Sequence, residues 1–105
     1  MFRINKNKIR ITKGDDAIFK VNVFNNKQPY DLSQAELVMT VRKTAESNTP
    51  LFNIQAEDGY FKILHDLTTN ADCGTYVYDI QLTDENGYIS TLVKNYFEIT
   101  EEVTR

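Results

Sequence analysis

This 105-residue sequence has one cysteine, no tryptophan and no long apolar run. The scarcity of cysteine and of apolar runs excludes several classes of protein. The single cysteine, Cys73, excludes an internal disulfide, so the chain is not a disulfide-stapled extracellular module. Uninterrupted apolar stretches reach three residues, as at 37–39, far short of the roughly 20 residues that cross a bilayer. Residues 1–8 carry charges but lack the apolar centre of a signal peptide. We therefore expect no signal peptide, no membrane insertion and synthesis in the cytoplasm.

Positive charge is also in short supply. The chain has 12 Lys and Arg residues against 15 Asp and Glu residues, which gives a net charge of −3. Its basic residues are scattered rather than gathered into a stripe, with one group at 6–10 and a pair at Arg42 and Lys43. A protein that binds a phosphate backbone needs a basic face, so we expect no nucleic-acid partner.

What the chain does contain is typical of one globular domain. Hydrophobic residues make up 41% and charged residues 26% of the sequence, which are ordinary globular values. A chain of this length buries about 60–65% of its unfolded surface, enough for one core. We therefore expect a single domain over residues 1–105. The aromatic residues are six Tyr and six Phe, a composition that favours strands.

Apolar and polar residues alternate along the chain, and turn residues interrupt the alternation about every 8–12 positions. No apolar set recurs at helical spacing over three turns, so a helical fold is excluded. The predicted strands lie at about 8–12, 17–23, 37–42, 51–56, 60–64, 75–83 and 88–100. The pattern predicts an all-β fold, an immunoglobulin-like antiparallel β-sandwich of about seven strands.

The sequence also predicts two hairpin turns and an irregularity in the last strand. Two segments, Glu57-Asp58-Gly59 and Asp84-Glu85-Asn86-Gly87, predict β-hairpins, because glycine accepts a positive φ there. In the last strand Ile89 and Val93 share the inward parity. Asn95 falls in the same parity, where a buried amide needs partners, so we expect a bulge or fraying at Asn95.

A corner motif precedes the clearest strand. Asp72, Gly74 and Tyr76 have the spacing D-x-G-x-Y. In immunoglobulin-like domains a tyrosine at this place hydrogen-bonds back to the preceding turn and forms a tyrosine corner. Gly74 would supply the bend, and Tyr78 would fill the space that a disulfide cysteine takes in antibody domains. The alternative is an ordinary aromatic strand after a glycine turn.

Several short sequence motifs, called phrases below, occur in the same order as in a known protein family. Tyr-x-Tyr-Asp-Ile-Gln-Leu is the most specific of them, and the set spans about residues 9–103. The phrases are Ile11-Thr12-Lys13-Gly14-Asp15-Asp16, Tyr30-Asp31-Leu32-Ser33-Gln34-Ala35, Val38-Met39-Thr40-Val41-Arg42-Lys43, Gly74-Thr75-Tyr76-Val77-Tyr78-Asp79-Ile80-Gln81-Leu82-Thr83 and Asn86-Gly87. The chain is similar to the N-terminal domain of the baseplate upper proteins of phages that infect Gram-positive bacteria. It departs from that family where Asn95-Tyr96, rather than a glycine, precedes the final Phe97.

The resemblance implies a structural role. A family of this kind implies a β-sandwich that attaches parts of a tail tip to one another. We therefore expect a non-catalytic interaction module of a phage or prophage tail baseplate, located in the virion and assembled in the bacterial cytoplasm. The expected partners are other tail or baseplate proteins and further copies of the chain.

Catalytic and metal-binding groups are sparse. His65 and Asp66 are adjacent and would point to opposite faces of a strand, and Cys73 has no adjacent base. One His and one Cys do not make the four-ligand set of a structural zinc site. Acidic pairs occur at predicted turns, where solvation is the simpler explanation. We expect no enzyme activity, no metal site and no cofactor.

Outward-facing apolar residues point to binding. Their parity places Phe24, Tyr60, Tyr88, Leu92 and Tyr96 on the surface, and aromatic residues of this kind are enriched in interface hot spots. They are the candidate interface residues, and a second copy or another protein is the expected occupant. The alternative function is a carbohydrate- or cell-surface-binding module, since tyrosine rings stack on sugars.

Overall fold

The computed structural model describes residues 2–25 and 27–101, so residues 1, 26 and 102–105 of the predicted domain lie outside it. Within those ranges no helix is long and apolar enough to cross a membrane. Two short 3-10 helices occur, at Leu32–Gln34 and His65–Leu67. The strands are β1 (Phe2–Asn5), β2 (Lys8–Thr12), β3 (Ala17–Lys20), β4 (Phe24–Asn25), β5 (Gln28–Pro29), β6 (Glu36–Arg42), β7 (Phe52–Gln55), β8 (Tyr60–Ile63), β9 (Gly74–Thr83) and β10 (Ile89–Thr100).

The strands form a large sheet, a facing pair and a small hairpin. The large sheet has the order β1-β2-β10-β9-β6-β7, and the facing pair is β3-β8. The run β10-β9-β6-β7 matches the G-F-C-C′ order of immunoglobulin variable domains, and β3-β8 matches their B-E pair. The prediction of an all-β, immunoglobulin-like sandwich is confirmed.

The strand count and the strand directions differ from the prediction in detail. The seven predicted strands all occur, and β1, β4 and β5 add to them among the described residues. Pairing is not purely antiparallel, because β2 runs parallel to β10 with Ile9 opposite Phe97. The sequence signal for β1 is weak because its turn is made by Lys6 and Asn7, at φ 51° and 69°, rather than by the usual glycine pair.

One predicted hairpin is wrong and the other is confirmed. Asp84–Gly87 joins β9 to β10, which pair directly. The turn at 57–59 instead crosses between sheets, since β7 pairs with β6 and β8 pairs with β3. Only a single bridge, Glu57 to Tyr60, closes that turn. A glycine turn has the same local sequence whether the next strand folds back or crosses over, so local sequence did not separate the two.

The irregularity of the last strand lies at Leu92, not at the predicted Asn95. The register between β10 and β9 shifts between Thr91 and Val93. The extra residue reverses the parity of the strand, so Val93 faces inward while Ile89 is 64% exposed. The side-chain amide of Asn95 is accommodated without a bulge, because it donates to the Lys6 carbonyl at 3.2 Å.

The core fills the space between the two sheets. Phe97 is fully buried, and its ring meets Phe52 and Tyr78 edge-on at 5.8 and 6.5 Å. The rings of Phe2, Phe19 and Phe61 stack in series at 5.6 and 5.5 Å. This stack brings β1, at the edge of the large sheet, against β3 and β8, so the large sheet curls around the facing pair. The other buried apolar residues are Ile9, Ile11, Leu37, Met39, Val41, Ile63, Ala71, Tyr76, Ile80, Leu82 and Ile99.

Candidate functional site

A tyrosine corner closes one end of the sandwich. The Tyr76 hydroxyl, at the start of β9, donates to the Asp72 carbonyl at 2.6 Å. Gly74 lies between them at φ +146°, a conformation that side chains disfavour. Burial raises the pKa of Tyr76, and the charges of Asp72 and Cys73 raise it further. The bond makes Tyr76 a structural anchor, which is the role of this residue in immunoglobulin-like domains.

Tyr78 takes the position where antibody domains carry a cysteine. Its side chain is buried between the sheets, and its hydroxyl donates to the Asn7 carbonyl in the β1–β2 turn. Burial raises the pKa of Tyr78 to about 12. Tyr78 therefore ties that turn to β9 by a hydrogen bond, and no disulfide is needed to fill the space.

The five candidate interface residues are exposed, but they do not form one patch. Phe24 lies in the small β4–β5 hairpin, and Tyr60 lies on the outer side of β8. Tyr88, Leu92 and Tyr96 belong to the β9–β10 hairpin, on the β10 side of its turn. The structure thus brings three of the five to one hairpin and places the other two elsewhere.

Tyr96 forms one wall of a groove on the outer face of the large sheet. The groove has a volume of about 660 Å³, and the β6–β7 loop at 45–48 also lines it. Arg42 and Asp79 lie across its floor, with a guanidinium nitrogen 3.8 Å from a carboxylate oxygen. Val77 and Lys94 complete the surface beside Tyr96. An aromatic wall beside polar and charged groups can hold a small polar ligand.

Leu92 lies on a part of β10 that has an uncovered edge, and Tyr88 immediately precedes that strand. β9 pairs with β10 from Ile89 to Ile99, whereas β2 reaches the opposite edge only at Phe97–Thr100. Sequence reasoning missed Ile89, which is exposed between Tyr88 and Leu92. No local signal marks the bulge that turns Ile89 outward. Three exposed apolar side chains, those of Tyr88, Ile89 and Leu92, therefore lie at or beside this uncovered edge.

His65 and Cys73, the side chains best suited to catalysis or metal binding, make structural contacts. The backbone N–H of His65 donates to an Asp16 carboxylate oxygen at 2.5 Å, and the ring Nδ1 lies 3.0 Å from the same oxygen. These hydrogen bonds, the backbone one foremost, lower the pKa of Asp16. Sequence reasoning considered Asp66 as the neighbour of His65 and missed this contact, because Asp16 lies 49 residues away. Cys73 is half-buried and packs against the core.

No cluster of three or more potential metal ligands occurs in the part of the chain that the structure describes. The absence of enzyme activity and of a cofactor stays a prediction. The carboxylates at 84–85 lie at the β9–β10 turn, where Asp84 accepts from the backbone N–H groups of Asn86 and Tyr88 at 2.9 and 3.0 Å. Asp84 therefore stabilises the turn.

Comparison with known proteins yields little. No protein-family model and no curated protein matches the chain. A solved structure of murine CRIg aligns over 98% of both chains with 9% identity and a TM-score of 0.43. A match this weak bears on neither the fold nor the function, so the fold assignment rests on the strand order.

Proposed function

We propose that the chain is a non-catalytic structural module of a phage or prophage tail baseplate, which takes part in virion assembly by binding other tail or baseplate proteins. The observation that carries the binding role is the uncovered edge of β10, where Tyr88, Ile89 and Leu92 are exposed together. Exposed apolar groups beside an unpaired strand edge are typical of surfaces that meet another chain. The assignment to a tail is supported by the ordered phrases over residues 9–103.

Binding to the neighbouring gene products tests this function. Each tail or baseplate protein encoded beside this gene would be purified and mixed with the chain, and complexes would be separated by size-exclusion chromatography with light scattering. We expect a stable complex with at least one of them, and mass spectrometry should find the chain in purified virions. Absence from virions together with no complex would refute the proposal.

The groove beside Tyr96 supports a second candidate function, saccharide binding. An exposed tyrosine next to Asp79, Arg42 and Lys94 offers a stacking surface with hydrogen-bonding groups. A glycan array followed by calorimetry on the strongest saccharide tests it. Binding that Tyr96→Ala abolishes and Tyr60→Ala leaves intact would favour this function, whereas an empty array would remove it.

A further inference from the structure

The first half of β10 presents an open sheet edge. Within residues 2–25 and 27–101, no strand lies beside segment 89–94 on the side opposite β9. The segment is six residues long, and its only charged residue is Lys94. By comparison, β3, β7 and β8 have four residues each, and β3 and β8 carry Lys20 and Lys62. Lysines and bulges protect sheet edges, and here Lys94 and the bulge at Leu92 protect the end of the segment. The regular stretch 89–91 has neither, so it is the part of this edge that can take an occupant.

The alternation of the ladder shows which backbone groups face outward. Asp84 donates its backbone N–H to the Tyr88 carbonyl at 2.9 Å across the turn. Hydrogen-bonded and non-hydrogen-bonded residue pairs alternate along an antiparallel ladder. Since Tyr88 bonds to Asp84, the backbone groups of Ser90, two residues further on, also point towards β9. The N–H and C=O groups of Ile89 and Thr91 therefore point away from β9, into the open edge. The bulge at Leu92 ends this regular stretch.

Charges of opposite sign flank the open edge. Glu85 lies in the turn before β10, and Lys6 lies in the β1–β2 turn beside Asn95. Hydrogen bonds from Asn95 on β10 and from Tyr78 on β9 hold that turn in place. An edge with an acid at one end and a base at the other is complementary to its own reversed copy. This charge order favours a second copy of the chain over an unrelated strand as the occupant.

We propose that β10 pairs antiparallel with β10 of a second copy, about a two-fold axis at Ser90, so that the large sheets of the two copies join. Ile89 of each copy faces Thr91 of the other, which satisfies the four outward-pointing backbone groups of each copy. The turn that carries Glu85 then meets the turn that carries Lys6 in the other copy, twice by symmetry. Tyr88, Ile89 and Leu92 of both copies lie at the junction. The inference rests on the proposed role as an interaction module and names one partner.

Charge reversal tests the proposal in solution. Sedimentation velocity over a wide range of protein concentration should show a monomer–dimer equilibrium. Glu85→Lys or Lys6→Glu alone turns two attractions into repulsions and should weaken dimerisation about tenfold or more. The double variant Glu85→Lys/Lys6→Glu restores opposite charges and should recover the dimer. Glu57→Lys and Lys62→Glu make the same charge changes away from the edge and should leave dimerisation unchanged.

A cysteine on the two-fold axis tests the register. Ser90 would face Ser90 of the other copy as a non-hydrogen-bonded pair, with Cα atoms about 4.5 Å apart, which suits a disulfide. In a Cys73→Ser background, Ser90→Cys should form a covalent dimer on mild oxidation, and Ser33→Cys should stay monomeric. The far-ultraviolet circular dichroism of each variant would verify that it is folded.

A monomer at every concentration would overturn the proposal, as would a dimer insensitive to Glu85→Lys or a Ser90→Cys variant that fails to crosslink. The proposed function fails on different evidence, namely absence from virions and no complex with other tail proteins. A chain that stays monomeric yet binds a neighbouring tail protein would refute the dimer alone. A dimer that is absent from virions would refute the tail assignment alone.

Discussion

Replacing Tyr76 by phenylalanine removes the hydroxyl of the tyrosine corner and little else. The phenylalanine ring keeps the burial of Tyr76, which is 4% exposed. It also keeps the contact with Lys43, whose Nζ lies 5.0 Å from the ring centroid. The change therefore isolates one hydrogen bond, the 2.6 Å bond from Oη to the Asp72 carbonyl.

The expected loss follows from where that bond lies. A hydrogen bond contributes about 0.5–1.5 kcal/mol net, and a buried acceptor left unpaired costs about 1–3 kcal/mol. The Asp72 bond is only partly buried, so water can reach some of the carbonyl, and we expect a loss of about 1 kcal/mol in the free energy of unfolding. In a domain of this size that corresponds to a fall of about 4–8 °C in Tm.

Urea denaturation and differential scanning calorimetry would measure the loss. The m-value should stay constant, because the surface exposed on unfolding does not change. Tyr96→Phe is the matched control, since it removes the same hydroxyl from a side chain that is 54% exposed. Equal stability of Tyr76→Phe and the unmodified chain, or an equal loss in both variants, would show that the corner bond does not stabilise this fold.

Three further changes test other features. Gly74→Ala should lower the free energy of unfolding by more than about 1 kcal/mol, because alanine is strained at φ +146°. Nothing lies within 4 Å of the added Cβ, so backbone strain alone would cause this loss. Gly87→Asn, at φ +85°, should lose less in the same urea titration. Burial raises the pKa of Tyr78 from 10.0 to about 12, so the folded state holds the proton more tightly and stability falls as pH rises between those values. Tyr78→Phe should flatten that slope in denaturation series at alkaline pH, and an unchanged slope would contradict the burial argument. The lowered pKa of Asp16 contributes stability that is present above 3.8 and is lost as pH falls through the folded-state pKa. Asp16→Asn should weaken the acid dependence of thermal unfolding, and the His65 ring resonances should shift in NMR spectra; unchanged acid dependence would count against the contact.

Much of the candidate surface was predictable from the sequence because solvent exposure follows local parity. Alternation placed Tyr60 and Tyr96 outward, and both are exposed. Alternation placed Ile89 inward, and this was wrong, because the extra residue at Leu92 makes the strand residues before it face the opposite side of the sheet. The bulge has no composition of its own, so the third apolar residue of the open edge emerged only from the register with β9.

The sequence by itself determined seven of the strands, most of their inward faces and the corner. Each of these depends on neighbours within a few residues, as in the Asp72–Tyr76 bond across four positions. The tertiary structure decided which strands meet: the crossing at Gly59, the contact of Asp16 with His65, and the coverage of β10 by β2 at one end only. Such pairings join segments up to 89 residues apart, and the free energy that selects among them comes from packing of the whole core, which local alternation does not encode.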